Sequence, residues 1–320
     1  MTIFDEVRAA CRAVSEGAEL VRIDAARLAV FARDFPLEEI GQAGLDPATH
    51  YLGRGKDTLA FILVLDSINF GSGYFPHLKK RPNMSGYFSI AAGLNDWFSA
   101  AGAPDARRLV ALNAADCARI FGQDAGNTEG MALMALFARA LNDLGALLLA
   151  RFGGDYAELV ESAGHSAARL VAILRLMSSF DDVAIWHDCA VPLLKRAQIT
   201  AADLALAFDR QGWGRFDDLA DLTIFADNLV PHVLRVDGVL RYAPVLAAKI
   251  DSGTPLQAGS AEEVEIRAVA LHAVERLKAL LQEAGRRQVT AVDLDYLLWN
   301  RGQSARYKST LRHRAKSVFY

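Results

Sequence analysis

Asp227 places a carboxylate where its neighbours make one costly. In TIFADNLVPHVLRVDGVL, residues 223–240, it follows Ile224, Phe225 and Ala226 and precedes Leu229 and Val230, and Pro231 then removes a backbone donor. Burying an ionised carboxylate without partners costs several kcal/mol, so such a group is retained to cap a helix, to pair with a cation or to act on a ligand. Two of these uses fit here. Asp227 can accept amide hydrogen bonds ahead of LVPHVL, and a desolvated carboxylate can stabilise positive charge that develops on a substrate.

A second acid, Asp295, lies in AVDLDYLLWNRG, residues 291–302. Asp293 stands three residues after Thr290 and serves as the capping acid, which leaves Asp295 for other work. Tyr296 follows it directly. Asp295 and Asn300 fall on different sides of an ideal helix, so both reach one ligand only if the helix ends or bends near Arg301-Gly302. In KRAQI, residues 195–199, Lys195 and Arg196 stand just before a capping Thr200. Cations there oppose the helix dipole, a conflict that a phosphate bound at that terminus would relieve. The other reading is that both side chains are solvated.

Other fragments fail on spacing. GRGKDT, residues 53–58, lacks the glycine that a phosphate loop needs five residues before its Gly-Lys pair, since His50 stands there. WHDC, residues 186–189, sets His187, Asp188 and Cys189 side by side, where their side chains diverge, so the reading is structural. The seven histidines show no HxH or HxxxH spacing, and no GxSxG occurs. No metal, no cofactor and no acyl-transfer chemistry are expected.

The elements that must position Asp227 and Asp295 read as helices. Apolar residues recur mostly at three- and four-residue spacing, and alternating runs are scarce. Asn113, Thr200, Ser260 and Thr290 each precede an acid by three residues, which predicts four helix starts. The helix after Ser260 runs to Gly285 as a central packing element. Residues 71–86, GSGYFPHLKKRPNMSG, form a long aromatic loop, read as a short hairpin, a lid or a plain turn.

Composition narrows the classes. A chain of 320 residues, 52% hydrophobic and 23% charged, buries roughly three quarters of its unfolded surface in one domain or two lobes. Its net charge of −3, without a basic stripe, disfavours a nucleic-acid polymer as partner. Cys11, Cys117 and Cys189 lie far apart with no CxxC, which fits a reducing cytoplasm. The N-terminal MTIFDEVRAACRAV lacks an apolar leader core, and no membrane partner is expected. Nothing in the residues fixes an oligomeric state.

Several blocks together resemble the queuosine salvage family, the queuosine 5'-phosphate N-glycohydrolases: DSINF (66–70), SGYFSIAAGLN (85–95), KRAQI, FADNLVPHVLRVDGVLRY (225–242), GSAEEVEIRAVALHAVERL (259–277), DYLLWN (295–300) and HRAKSVFY (313–320). They run in family order over nearly the whole chain. The resemblance implies one mainly helical domain over 1–320, related to helix-hairpin-helix DNA glycosylases and with at most a small hairpin. It implies cleavage of the nucleotide into queuine and ribose 5-phosphate, for queuine salvage into tRNA modification.

By the same matching Asp227 is the catalytic aspartate, Phe225 belongs to the base and ribose pocket, and Asp295 with Tyr296 holds the queuine moiety. His50 resembles an early ligand-contacting histidine. Asn69 and Phe70, from DSINF, and Asn300 complete the expected substrate contacts. This chain departs from the family pattern in having NFGSGYFP where NFxFW is common and Asn300 where DYLLWD ends in an acid. A related 7-deazapurine nucleotide, or a binding protein without turnover, are the alternatives.

The implied reaction passes through a sugar cation, which Asp227 would stabilise whether it attacks the anomeric carbon or orients a water. A 7-deazaguanine base has carbon in place of N7, so its departure relies on edge contacts and stacking by Phe70, Phe225 or Tyr296. Asp295 would pair with the cationic amine of the side arm, and Lys195 would hold the phosphate.

Overall fold

The computed structural model describes residues 1–40, 44–285 and 288–320. It is mainly helical, as expected, with two small two-stranded antiparallel sheets among the described residues. Its internal contacts group into two units: Met1–Ala43, Asp182–Lys195 and Ala220–Lys316 form the first, and Gly44–Asp181, Arg196–Leu219 and Ser317–Tyr320 the second.

The first unit is organised on the helix Ala261–Glu283, in which every residue from Glu263 to Leu271 is buried. A helix covered on all sides must be central. It packs against the helices Ile3–Gly17, Ala25–Arg33, Val230–Val236 and Ala291–Arg301, and against the strands Val21–Ile23 and Val183–Trp186. Val21–Ile23 pairs with Leu240–Tyr242, and Val183–Trp186 with Cys189–Pro192. The WHDC stretch is the turn of the latter hairpin. His187 and Asp188 both have positive φ, 45° and 64°, as a two-residue turn that matches strand twist requires.

In the second unit the helix Thr128–Arg151 packs on Lys56–Ser67, Ala106–Ala111, Ala114–Ile120 and Tyr156–Glu161. It is long and apolar enough to cross a membrane, although half of its most apolar window is buried inside the protein. Gly145 makes its crossing with Ala106–Ala111 possible: a Cβ there would lie 2.6 Å from the Ala106 carbonyl oxygen and 2.9 Å from Leu109 and Val110 carbons. Alanine at an ordinary helical site stabilises by ~1 kcal/mol over glycine. Here the clash with backbone reverses the sign, and Gly145→Ala is expected to lower stability by about 1–3 kcal/mol. A urea midpoint equal to or above the parent's would refute this.

Three of the four expected starts hold. Asn113 and Thr290 form complete capping boxes, and the Ser260 hydroxyl accepts from the Glu263 amide. Thr200 is a correction. The helix begins at Lys195, and Thr200, inside it, donates its hydroxyl to the Arg196 carbonyl. Residues 71–86 hold a single turn of 3-10 helix, Phe75–His77, where a hairpin was one expectation.

Candidate active site

The site in the first unit is built from a short irregular segment, residues 223–229, between buried elements. Asp227 is half-buried, while Phe225, Ala226 and Asn228 beside it are buried. Its carboxylate is divided between two tasks. Oδ1 accepts the amides of Leu229 (2.7 Å) and Val230 (3.2 Å), which caps the helix Val230–Val236 and bears out the capping reading. Oδ2 accepts no hydrogen bond among the described residues.

The residues around Asp227 are pinned individually. The Phe225 amide donates to Asp295 Oδ1 at 2.8 Å, and the Ala226 carbonyl accepts from Arg267 Nε at 2.8 Å. Asn228 Nδ2 donates to the His313 carbonyl at 3.3 Å. Arg267 also donates to Asp182, at 2.5 and 3.1 Å, and to Glu263 at 3.2 Å. All three charged side chains are buried, at 1%, 2% and 2% exposure, so this is an ion cluster inside the unit, directly behind the Asp227 backbone.

Asp182 extends the cluster. Its Oδ2 accepts the Lys195 amide at 3.3 Å, and its carbonyl accepts the amides of Leu193 and Leu194. Leu194, a bulky residue, is held at φ 53°, a strained conformation that this bonding enforces. The acid before the hairpin thus starts the helix after it.

The helix Ala291–Arg301 contains both Asp295 and Asn300 and ends only at Gly302. A Cβ at Gly302 would lie 2.8 Å from Leu229 and 3.0 Å from Val233 carbons, so glycine lets this helix end settle on the Asp227-capped helix. Asp295 is 3% exposed, and the half-buried Tyr296 meets Phe225 edge-on, with centroids 6.1 Å apart at 78°. Phe225, Asp227, Asp295 and Tyr296 are therefore brought together. Asn300 is exposed on the other side of its helix.

Lys195 and Arg196 are both buried, at 5% and 1% exposure, which corrects the solvated reading. Arg196 belongs to the second unit. It donates to the carbonyls of Asp66, Ser67 and Ser179, and its guanidinium lies 4.7 Å from the Phe70 ring and 4.6 Å from that of Phe180. Phe70, 2% exposed, also meets Phe137 edge-on at 5.2 Å. Asn69 Nδ2 donates to Asp66 Oδ1 at 3.4 Å. His50 Nδ1 contacts the Asp46 carbonyl and Thr49 Oγ1, both at 3.0 Å, and Nε2 contacts the Tyr87 hydroxyl at 3.1 Å. Burial holds the His50 pKa below the ordinary imidazole value, which keeps it neutral.

Sequence reasoning missed Asp182, Glu263 and Arg267 as supports of Asp227. The signal was present in EEVEIRA: an acid and an arginine four apart within a helix whose apolar residues leave no solvent face.

Fold and site together define a helical protein that presents one oxygen of a half-buried, backbone-anchored carboxylate beside an aromatic pair. Residues 49–320 match the family described as Queuosine salvage protein, and the chain belongs to that family. A Sphaerobacter thermophilus protein named queuosine 5'-phosphate N-glycosylase/hydrolase is 37% identical over 97% of this chain and 96% of its own. Proteins of the same name from Dictyostelium discoideum and Mus musculus are 33% and 30% identical, over 82% and 83% of this chain and 78% and 84% of theirs.

Proposed function

We propose that this chain is a hydrolase acting on N-glycosyl compounds, which splits queuosine 5'-phosphate into queuine and ribose 5-phosphate and so returns queuine to tRNA modification. The activity is assigned to the whole of residues 1–320, on a small-molecule nucleotide. The observation that carries this reading is the division of labour in Asp227. One oxygen is committed to the fold, and the other is an acceptor with no partner among the described residues, in a partly desolvated setting.

In the reaction the glycosidic bond breaks with its electron pair going to the base nitrogen. The water oxygen bonds the anomeric carbon, and a water proton ends on the base. Positive charge grows on the ribose before the new bond is complete, and a fixed carboxylate stabilises it without reorganising. Attack by Asp227 and orientation of the water by Asp227 use the same oxygen.

The Phe225–Tyr296 pair supplies an apolar wall for the deazaguanine, and Asp295 takes the cationic amine of the side arm. Lys195, joined through Asp182 and Arg267 to the Ala226 carbonyl, is a candidate for the phosphate. The free state of Cys11, Cys117 and Cys189 supports a reducing compartment, the cytoplasm.

The test is incubation with queuosine 5'-phosphate, the unphosphorylated nucleoside and GMP, with free base read by chromatography. Queuine should accumulate fastest from the first, and guanine should not appear. Retention of all three intact would replace hydrolysis with ligand binding alone.

A further inference from the structure

Arg312 is a cation of the first unit that stands beside the Asp227 segment. Arg312 is half-buried, and among the described residues its side chain makes neither a hydrogen bond nor an ion pair. The chain on both sides is fixed. The Leu311 carbonyl accepts from Arg235, the His313 carbonyl from Asn228, and the Arg314 carbonyl from the Leu256 amide, with a bridge from Leu256 to Ala315. The Asn228 bond places this segment directly against the residue that follows Asp227.

Burial depresses the Arg312 pKa below the ordinary guanidinium value, the Asp227 carboxylate pulls it back up, and the neighbouring Arg314 charge lowers it further. The field of Asp227 reaches Arg312, yet the two do not close into an ion pair. Closure would hold the Asp227 oxygen that the reaction needs.

A half-buried guanidinium with five unused donors is costly unless something occupies them. Arg314, two residues on, brings a like charge to bear on Arg312 and an added need for an anion. The planar fork of arginine matches phosphate with two parallel hydrogen bonds. We infer that Arg312 binds the 5'-phosphate of the nucleotide while Asp227 faces the anomeric carbon of the same ribose, so that it sets the preference for nucleotide over nucleoside; this rests on the hydrolase reading above. Arg312 thereby joins Lys195 as a candidate for the phosphate and lends remote binding energy to the reacting bond.

Arg312→Met and Arg312→Lys test this, each checked by thermal melting. For Arg312→Met, kcat/KM on queuosine 5'-phosphate should fall about 30-fold, the scale of a lost charge-assisted hydrogen bond, while kcat/KM on the nucleoside stays within about 2-fold. Arg312→Lys should lie between, and it carries the comparison if the methionine variant does not fold. Ribose 5-phosphate, titrated by calorimetry, should bind the parent and lose affinity similarly in the variants, with ribose as the control.

Equal losses on nucleotide and nucleoside, or unchanged affinity for ribose 5-phosphate, would overturn the assignment. Arg312-dependent binding of ribose 5-phosphate by a parent that releases no base would uphold the anion site and discard the hydrolase reading.

Discussion

Asp227→Asn is expected to reduce kcat on queuosine 5'-phosphate by at least ~100-fold, the scale of removing one preorganised group from a developing charge. KM should change little. The variant isolates charge from structure because asparagine retains an oxygen where Oδ1 accepts the Leu229 and Val230 amides. Asparagine and aspartate rank alike as helix caps, so the thermal midpoint should stay close to the parent's. Asp227→Ala would remove both functions, and about 1 kcal/mol of lost capping would accompany its loss of activity. Binding of ribose 5-phosphate by Asp227→Asn, together with slow turnover, separates a catalytic carboxylate from one that only caps. Undiminished release of queuine would leave the cap as its sole role.

How far this site could be read from the sequence follows from the range of its interactions. The caps at Asn113, Ser260 and Thr290 are three-residue patterns, complete within the segment that displays them. Thr200 shows the same pattern and fails because a partner distant in sequence outbids it: Asp182, across the hairpin, takes the Lys195 amide and starts the helix one turn earlier. Thr200 then donates to a carbonyl four residues back, as threonine inside a helix does.

The hairpin itself was hidden because its turn is His187-Asp188, without the glycine that usually marks positive φ. Asp227 was legible as a costly carboxylate with two competing uses. Sequence offered no means to see that its two oxygens divide them. Phe70 illustrates the opposite limit: an aromatic in a family block reads as a stacking platform, but only coordinates reveal that Arg196 and Phe137 already pack on it.

The support behind Asp227 leads to the second large effect. Arg267→Met is expected to destabilise the protein by about 3–5 kcal/mol, because it strands Asp182 and Glu263 as buried carboxylates with no neutralising guanidinium. Lost apolar packing is not the cause, since methionine fills much of the same volume. The sign of a second substitution tests this account. Adding Asp182→Asn to Arg267→Met removes one stranded charge and should recover part of the loss, whereas on the parent background the same change should destabilise.

Urea midpoints for the four proteins give the coupling directly, provided their m-values agree. Independent, additive losses would mean that the ion cluster is not the unit of stability. Activity supplies a second readout. In the fraction of Arg267→Met that remains folded, the Ala226 carbonyl has lost its donor. The carboxylate one residue on is then less well aimed, and kcat should fall while affinity for ribose 5-phosphate is retained.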